Sequence, residues 1–234
     1  MVLNSIKSVA QDFCSLIFMD LCICCYEMEP VQNQAFCLAC LSQIPYIDKQ
    51  SSISSLLIGK KVVPYEVIKF YSLLTYPKSG KVKELLHQMK YCNRPMIATK
   101  LGQQLAKRIS ETGDMQNYIQ IPVPLHPQRR KKRGYNQAVK IAEGIKKELD
   151  ISINYQVLQR IQNNESQTMK GADEREEVQD QRFALMNNIS IDPEKHALII
   201  DDIVTTGSTI AACYHLLKQA GYQKISVATL AITI

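Results

Sequence analysis

Tryptophan is absent and aromatic residues make up only 7% of the chain, so no long stacking platform for single-stranded nucleic acid is evident in the sequence. Long apolar runs are missing too. None approaches the roughly 18 residues that a membrane-spanning helix needs, which excludes a bilayer span. The first 21 residues hold only the short run "CSLIFM", without a basic start followed by a small-residue cleavage site, so no secretory signal is read and a cytoplasmic location is expected. The single candidate nucleotide loop, "SLLIGKKV" around Gly59, lacks both the upstream glycine and the Ser/Thr after lysine that a P-loop requires, which excludes an intrinsic ATPase. Of four histidines, only His126 falls inside a motif, where a structural hydrogen bond and acid–base duty are both open readings.

What is present describes a globular protein. At 234 residues, 46% hydrophobic and 21% charged, the chain can bury one main core with room for a small appendage. The net charge of +6 is modest, yet Arg129, Arg130, Lys131, Lys132 and Arg133 form an unbroken basic run. Such a run either attracts a polyanion or is simply a solvated charged loop.

Apolar spacing supplies the elements. Val2, Ile6, Val9, Phe13 and Ile17 mark an amphipathic helix over residues 1–20, and a polar, serine-rich stretch, Asp48 to Gly59, places a boundary near residue 60. Beyond the turn Tyr76 to Gly80, two helical stripes follow: Val82, Leu85, Leu86, Met89, then Ile97, Leu101, Leu105, Ile109. "YIQIPVP" (118–124) reads as a strand stopped by prolines, a basic loop comes next, and Ala138, Ile141, Ala142, Ile145 and Leu149 form a helix face. Strand, loop and helix recur as "ALII", "DDIVTTGST" and the helix bearing Ile210, Tyr214 and Leu217, before a last strand, "KISVATLAITI". Strands alternating with helices imply an α/β fold with a parallel sheet. Lys170 to Arg182 is a mixed-charge loop or exposed helix.

Five of the eight cysteines lie between Cys22 and Cys40. Cys22 and Cys25 form one C-x-x-C pair and Cys37 and Cys40 another, so two pairs of thiolates can close a tetrahedral zinc site. With four sulfur ligands no position is left for water, which makes the site structural. An iron–sulfur or redox role, or unligated thiols, are the alternatives, and Cys24 could compete with either ligand of the first pair. Cys14, Cys92 and Cys213 stand singly in apolar patterns and are expected in the core.

"IIDDIVTTGST" (199–209) carries the functional chemistry. Asp201 and Asp202 follow a strand, at the sheet edge where α/β proteins bind ligands. Neighbouring carboxylates repel, so they want hydrogen-bond donors such as vicinal sugar hydroxyls, or a cation. Thr205, Thr206, Gly207, Ser208 and Thr209 then open a helix with the small residues and flexible backbone that hold a phosphate. The two together describe a phosphorylated ribose. The plainer alternative is that acids and hydroxyls only begin and cap the helix.

This run resembles the phosphoribosyl pyrophosphate (PRPP) signature of type I phosphoribosyltransferases. Pro122, Val123, Pro124, Leu125, His126, Pro127, Arg129, Arg133, Gly134, Tyr135, Asn136 and Gln137 narrow the resemblance to the ComF family of competence proteins. That family also carries a four-cysteine zinc module, matched by Cys22, Cys25, Cys37 and Cys40, and a segment matched by Tyr76, Gly80, Val82, Leu85, Leu86 and Lys90. The resemblance implies a type I phosphoribosyltransferase fold over residues 61–234, with an N-terminal helix and zinc module over residues 1–60. It implies that Asp201 and Asp202 hold the ribose hydroxyls and that the loop from Val204 through Thr209 cradles the 5′-phosphate. Mg²⁺ would accompany the PRPP, with Asp201, Asp202, Arg129 and Arg133 as the catalytic set. Arg129, Arg130, Lys131, Lys132, Arg133, Tyr135, Asn136 and Gln137 would meet pyrophosphate or DNA phosphates, Lys60 and Lys61 would extend that track, and Tyr135 would offer a stacking ring. A role in natural transformation follows, beside other competence proteins of helicase and DNA-processing type, with single-stranded DNA as a further partner. Two stretches depart from the family pattern: Arg160 and Gln167 fit, but Gln162 and Asn164 replace an arginine and a threonine, and beyond Arg175 a valine, Val178, replaces an asparagine.

Overall fold

A computed structural model describes residues 21–31, 35–47, 63–64, 66–76, 79–111, 113, 115–161 and 182–233. The expected helix over residues 1–20, Cys14, Lys60 and Lys61, and Gln162, Asn164, Gln167, Arg175 and Val178 lie outside the described residues.

The scaffold is a parallel sheet of four strands, β1 (Phe70–Thr75), β2 (Tyr118–Pro122), β5 (His196–Val204) and β6 (Lys224–Ile232), in the order β1-β6-β5-β2. A short antiparallel pair, β3 (Leu158–Arg160) with β4 (Phe183–Leu185), stands apart from it. The helices are α1 (Leu38–Leu41), α2 (Lys81–Tyr91), α3 (Pro95–Ser110), α4 (Pro127–Arg133), α5 (Gln137–Leu149) and α6 (Ser208–Ala220).

β5 and β6 are buried almost end to end, the near-continuous apolar reading of strands covered on both faces. Alternate residues of β5 serve opposite layers. Leu198 and Ile200 join α2, α3 and α5 in one core, while Ala197 and Ile199 join α6 and the β3–β4 pair in the other. β1, which carries no strong turn signal ahead of it, and the three-residue β3 and β4 are elements that the sequence patterns do not announce.

The cysteine-rich segment packs onto the main core. Cys22, Ile23, Phe36, Cys37, Cys40 and Ile44 belong to the same core cluster as α2 and α3. Residues 45–47 run along the outer edge of β1, bonded from Thr75 N–H to Pro45 O (3.0 Å) and from Ile47 N–H to Leu73 O (3.3 Å). That contact covers a sheet edge that would otherwise present unpaired backbone groups.

α3 and α5 approach until backbone meets backbone. A Cβ on Gly102 would stand 2.3 Å from Ile141 O, and one on Gly144 would stand 2.2 Å from Thr99 O. Gly102→Ala is therefore expected to push the helices apart and destabilise the protein by about 1–3 kcal/mol, read as a lower midpoint in urea; an unchanged midpoint would show that the crossing yields freely. No helix of the described residues is long and apolar enough to cross a membrane.

Candidate functional site

Parallel strands bring their carboxyl ends to one edge, and this decides what meets there. β2 and β5 pair with Pro122 opposite Ile200, so the chain leaving β2 into α4 lies beside the acids of β5. The strand runs further than "ALII" suggests: Asp201 and Asp202 are inside β5, paired across to β6 through Asp201 opposite Thr229. Thr229 Oγ1 donates to Asp202 O at 3.0 Å, which fixes the backbone under the carboxylates.

Both acids are half-buried. Asp201 accepts from the Asp202 amide at 2.8 Å, and Asp202 from the Ile203 amide at 2.7 Å. Lys90, at the end of α2, pairs with Asp202 at 3.1 Å. Burial, with the Asp202 charge second, pushes the Asp201 carboxyl up to about 7, against the pull of the Asp202 amide, Lys90 and Arg160. A folded-state value above the ordinary 3.8 means that the protonated carboxyl is the form the fold favours. Its contribution to stability is complete below the unfolded value and is lost as pH rises through about 7. The melting temperature of the wild type relative to Asp201→Asn is thus expected to fall steadily from pH 4 to pH 7. A constant difference across that range would show that the carboxyl is not held protonated.

After β5 the chain turns through Thr205 and Thr206 to Gly207, whose φ of 79° is left-handed, a conformation that glycine adopts without strain. Gly207 caps α6 without a side-chain bond of its own, and only a long contact from Thr206 Oγ1 meets the Ser208 N–H, at 3.5 Å. The 13-residue helix therefore points its N-terminal amides and positive dipole end at the edge that carries the acids. Thr206 Oγ1 and Ser208 Oγ are 3.3 Å apart, and Arg182 Nη2 donates to Ser208 Oγ at 3.1 Å. Val204 is buried while Thr205, Thr206 and Ser208 are exposed, so the loop offers hydroxyls and amides outward from an anchored strand end. Arg182 is a cation of this site that no motif singles out, while Arg160 and Lys90 fall in motifs of the resemblance that assign them no role here. The three lie beside β4, on β3 and on α2 respectively, and reach the acids and loop only through the fold.

The basic run corrects the sequence reading: it is a helix, α4, not a loop. Pro127 starts it, His126 caps it by accepting the Gln128 N–H at Nδ1 (3.2 Å), and Gly134 ends it with φ 79°. Pro at the first helical position and left-handed glycine after the last are sequence stop and start signals, legible here but masked by the density of charge. His126 thus has a structural bond. Arg129, Arg130, Lys131 and Lys132 are exposed, and Arg133 donates to Gln137 Oε1 at 3.0 Å.

Tyr135 is a second correction. Its side chain is only 9% exposed, and its hydroxyl donates to Met89 O and to Arg94 O. Burial raises it to about 12. A ring in the core cannot stack on a base; it ties the end of α2 to the start of α5, next to Lys90. Asn136 caps α5 by accepting the Ala138 N–H at 3.0 Å and donates to Val123 O at 2.9 Å, and Gln137 is buried. These three residues order the junction around α4.

The cysteines gather as the spacing leads one to expect. One ligand atom each from Cys22, Cys25, Cys37 and Cys40 lies within 4.8 Å of the others, with Cys25 Sγ to Cys37 Sγ at 3.8 Å. A tetrahedron with metal–sulfur arms of about 2.3 Å has edges of about 3.8 Å, so the four thiolates could hold one metal ion. Among the described residues they are the only such group. The turn is shaped for it: the Cys24 N–H donates to Cys22 Sγ at 3.4 Å, and the Glu27 and Met28 amides draw the Cys25 thiol down to about 7 against its burial. Cys24 stands outside the cluster, its thiol raised by burial and hydrogen-bonded to Cys40. Cys213 is buried as expected, whereas Cys92, expected in the core, is exposed just past the end of α2.

A parallel sheet clothed by helices, with paired acids at a strand end leading into a glycine-capped helix, defines a phosphoribosyltransferase-type domain, and residues 135–232 match the phosphoribosyl transferase domain family. Curated relatives refine this. The chain is 32% identical over 107 residues to competence protein F of Haemophilus influenzae, a match covering 46% of this chain and 47% of that protein. It is 28% identical over 155 residues to the DNA utilization protein YhgH of Escherichia coli K12, covering 64% and 66%. It is 27% identical over 146 residues to competence protein ComFC of Bacillus subtilis, covering 62% and 57%. The matches thus span about half to two thirds of these relatives' lengths. With the four-cysteine cluster in place, the chain is similar to competence proteins of the ComF type.

Proposed function

We propose that the protein binds PRPP at the carboxyl end of β5 and acts in DNA uptake during natural transformation, in the cytoplasm. One observation carries this reading: two half-buried aspartates and the glycine-capped N-terminus of α6 lie at the same sheet edge. Asp201 and Asp202 accept the ribose hydroxyls, and the amides of Thr205 to Thr209 hold the 5′-phosphate. Arg129 and Arg133 approach from α4 on the pyrophosphate side. The acids, poor neighbours for each other, suit a Mg²⁺ ion, which when bound would screen pyrophosphate charge. The sulfur spacing of Cys22, Cys25, Cys37 and Cys40 suits Zn²⁺ in a structural role.

If phosphoribosyl transfer occurs, positioning and charge stabilisation supply the catalysis, for among the described residues no side chain at the edge is placed as a dedicated general base. The second reading is a non-catalytic accessory that handles single-stranded DNA or responds to PRPP beside helicase-type and DNA-processing competence proteins. The exposed basic helix α4 favours it. Calorimetric titration with Mg²⁺ and PRPP tests the shared claim, and pyrophosphate release with a panel of bases and amines separates the two. Release that depends on one acceptor marks an enzyme, and binding without release marks the accessory. Absence of binding would remove the sugar-phosphate reading.

A further inference from the structure

Tyr91 is the last residue of α2, immediately after the lysine that pairs with Asp202. It faces the other way. Its ring is 44% exposed, yet it is not isolated: Lys132 Nζ lies 5.6 Å and Arg133 Cζ 5.3 Å from its centroid, and the His87 ring packs beside it at 4.6 Å, tilted by 39°. A second exposed tyrosine, Tyr26 of the cysteine-rich segment, lies under Arg94, its centroid 4.7 Å from Cζ. Gln88 of α2 joins Tyr26 to Arg94, accepting from Tyr26 Oη at 3.4 Å and from Arg94 Nη1 at 3.0 Å. The acid nearest on the same helix face is Glu84, which accepts from Gln88 Nε2 at 3.5 Å.

The outer face of α2 is therefore aromatic and cationic together, and it continues into the exposed row Arg129 to Lys132 of α4. Lone surface tyrosines need no explanation; two of them, each beside a cation, one on α2 and one held to α2 through Gln88, make a surface of a particular chemistry. A tyrosine face stacks on any base, and flanking Lys and Arg meet the phosphates on either side. Stacking of that kind needs unpaired bases, which a duplex withholds.

We propose that the face formed by Tyr91, Tyr26 and the cations Arg94 and Lys132 is the surface on which this protein holds single-stranded DNA, with Tyr91 as the stacking residue in place of the buried Tyr135. The proposal rests on the DNA-handling reading above and gives it an address distinct from the sugar-phosphate edge. Lys90 and Tyr91, adjacent at one helix end, reach different partners, Asp202 and the α4 cations.

The test is fluorescence anisotropy of a labelled oligothymidylate on the full chain, at several salt concentrations. Tyr91→Ala is expected to weaken binding by about 5- to 100-fold with an unchanged salt slope, because no phosphate contact is lost. Tyr91→Trp should restore affinity, and Lys132→Gln should lower the slope by about 0.7. Asp201→Asn with Asp202→Asn should bind the oligonucleotide as the wild type does. Melting temperatures check that each variant is folded, which is expected for exposed positions. Unchanged affinity in Tyr91→Ala, or loss of DNA binding in the aspartate variant, overturns the proposal. So does a poly-aspartate competitor that displaces the oligonucleotide equally well from wild type and Tyr91→Ala, since charge alone would then account for the attraction. A wild type that binds no oligonucleotide overturns the DNA-handling reading as well, while leaving PRPP binding to be judged by its own titration.

Discussion

At pH 8, above the Asp201 value of about 7, Asp201→Asn combined with Asp202→Asn is expected to weaken PRPP binding by roughly 10²-fold, because two hydrogen bonds to charged acceptors, each contributing about 1.5–3 kcal/mol, are replaced by neutral ones of about 0.5–1.5 kcal/mol. The fold should survive. Asp201 is a carboxyl that burial and its neighbour's charge hold up at about 7, so an amide of the same shape relieves a strained ionisation rather than creating one. The second change removes the 3.1 Å pair with Lys90, a partly exposed contact worth at most about 1 kcal/mol. A melting temperature near that of the wild type, with calorimetric heats reduced to dilution, is the predicted outcome. Undiminished affinity for PRPP would dismiss the aspartates as ribose ligands, and a collapsed melting curve would make them structural residues instead.

The other large effect is expected at the cysteines. Cys37→Ser removes one of four converging thiolates, and a structural metal site contributes its binding energy directly to folding. Because Cys22, Cys37 and Cys40 pack in the same core as α2 and α3, the loss should not stay local. A fall of about 10 °C or more in melting temperature is expected, for a destabilisation of about 4 kcal/mol in a chain of this size. Elemental analysis should find about one zinc per chain in the wild type and a substoichiometric amount in Cys37→Ser. Cys24→Ser, outside the cluster, should retain the metal. Full zinc content without the Cys37 thiolate would mean that Cys24 or another group completes the site.

The way the sequence failed at α4 and Tyr135 is instructive. Five consecutive basic residues read as a solvated loop because like charges repel and no apolar stripe marks a buried face; the helix is imposed by its ends, Pro127 and Gly134, and by the strand that delivers it. Tyr135 stands between a glycine and an asparagine in a polar stretch, where nothing local predicts burial. Its ring is buried because α2, arriving from far earlier in the chain, brings Met89 and Arg94 carbonyls to its hydroxyl. Cys92 erred in the opposite direction, since its apolar neighbours belong to the last turn of α2 while the cysteine itself has passed beyond it.

What the sequence alone determined is whatever is contiguous or periodic. The spacing of four cysteines, the order of strands and helices, and the string of acids and hydroxyls from Asp201 to Thr209 all place their groups through local backbone geometry, which a few residues specify. The tertiary structure decided which distant groups meet: Lys90 and Arg160 beside the acids, Arg182 on Ser208, Tyr91 beneath Lys132 and Arg133. Those meetings depend on the register of parallel strands and on two glycines that let α3 and α5 touch, and packing of that kind is a property of the whole core, written in no single segment.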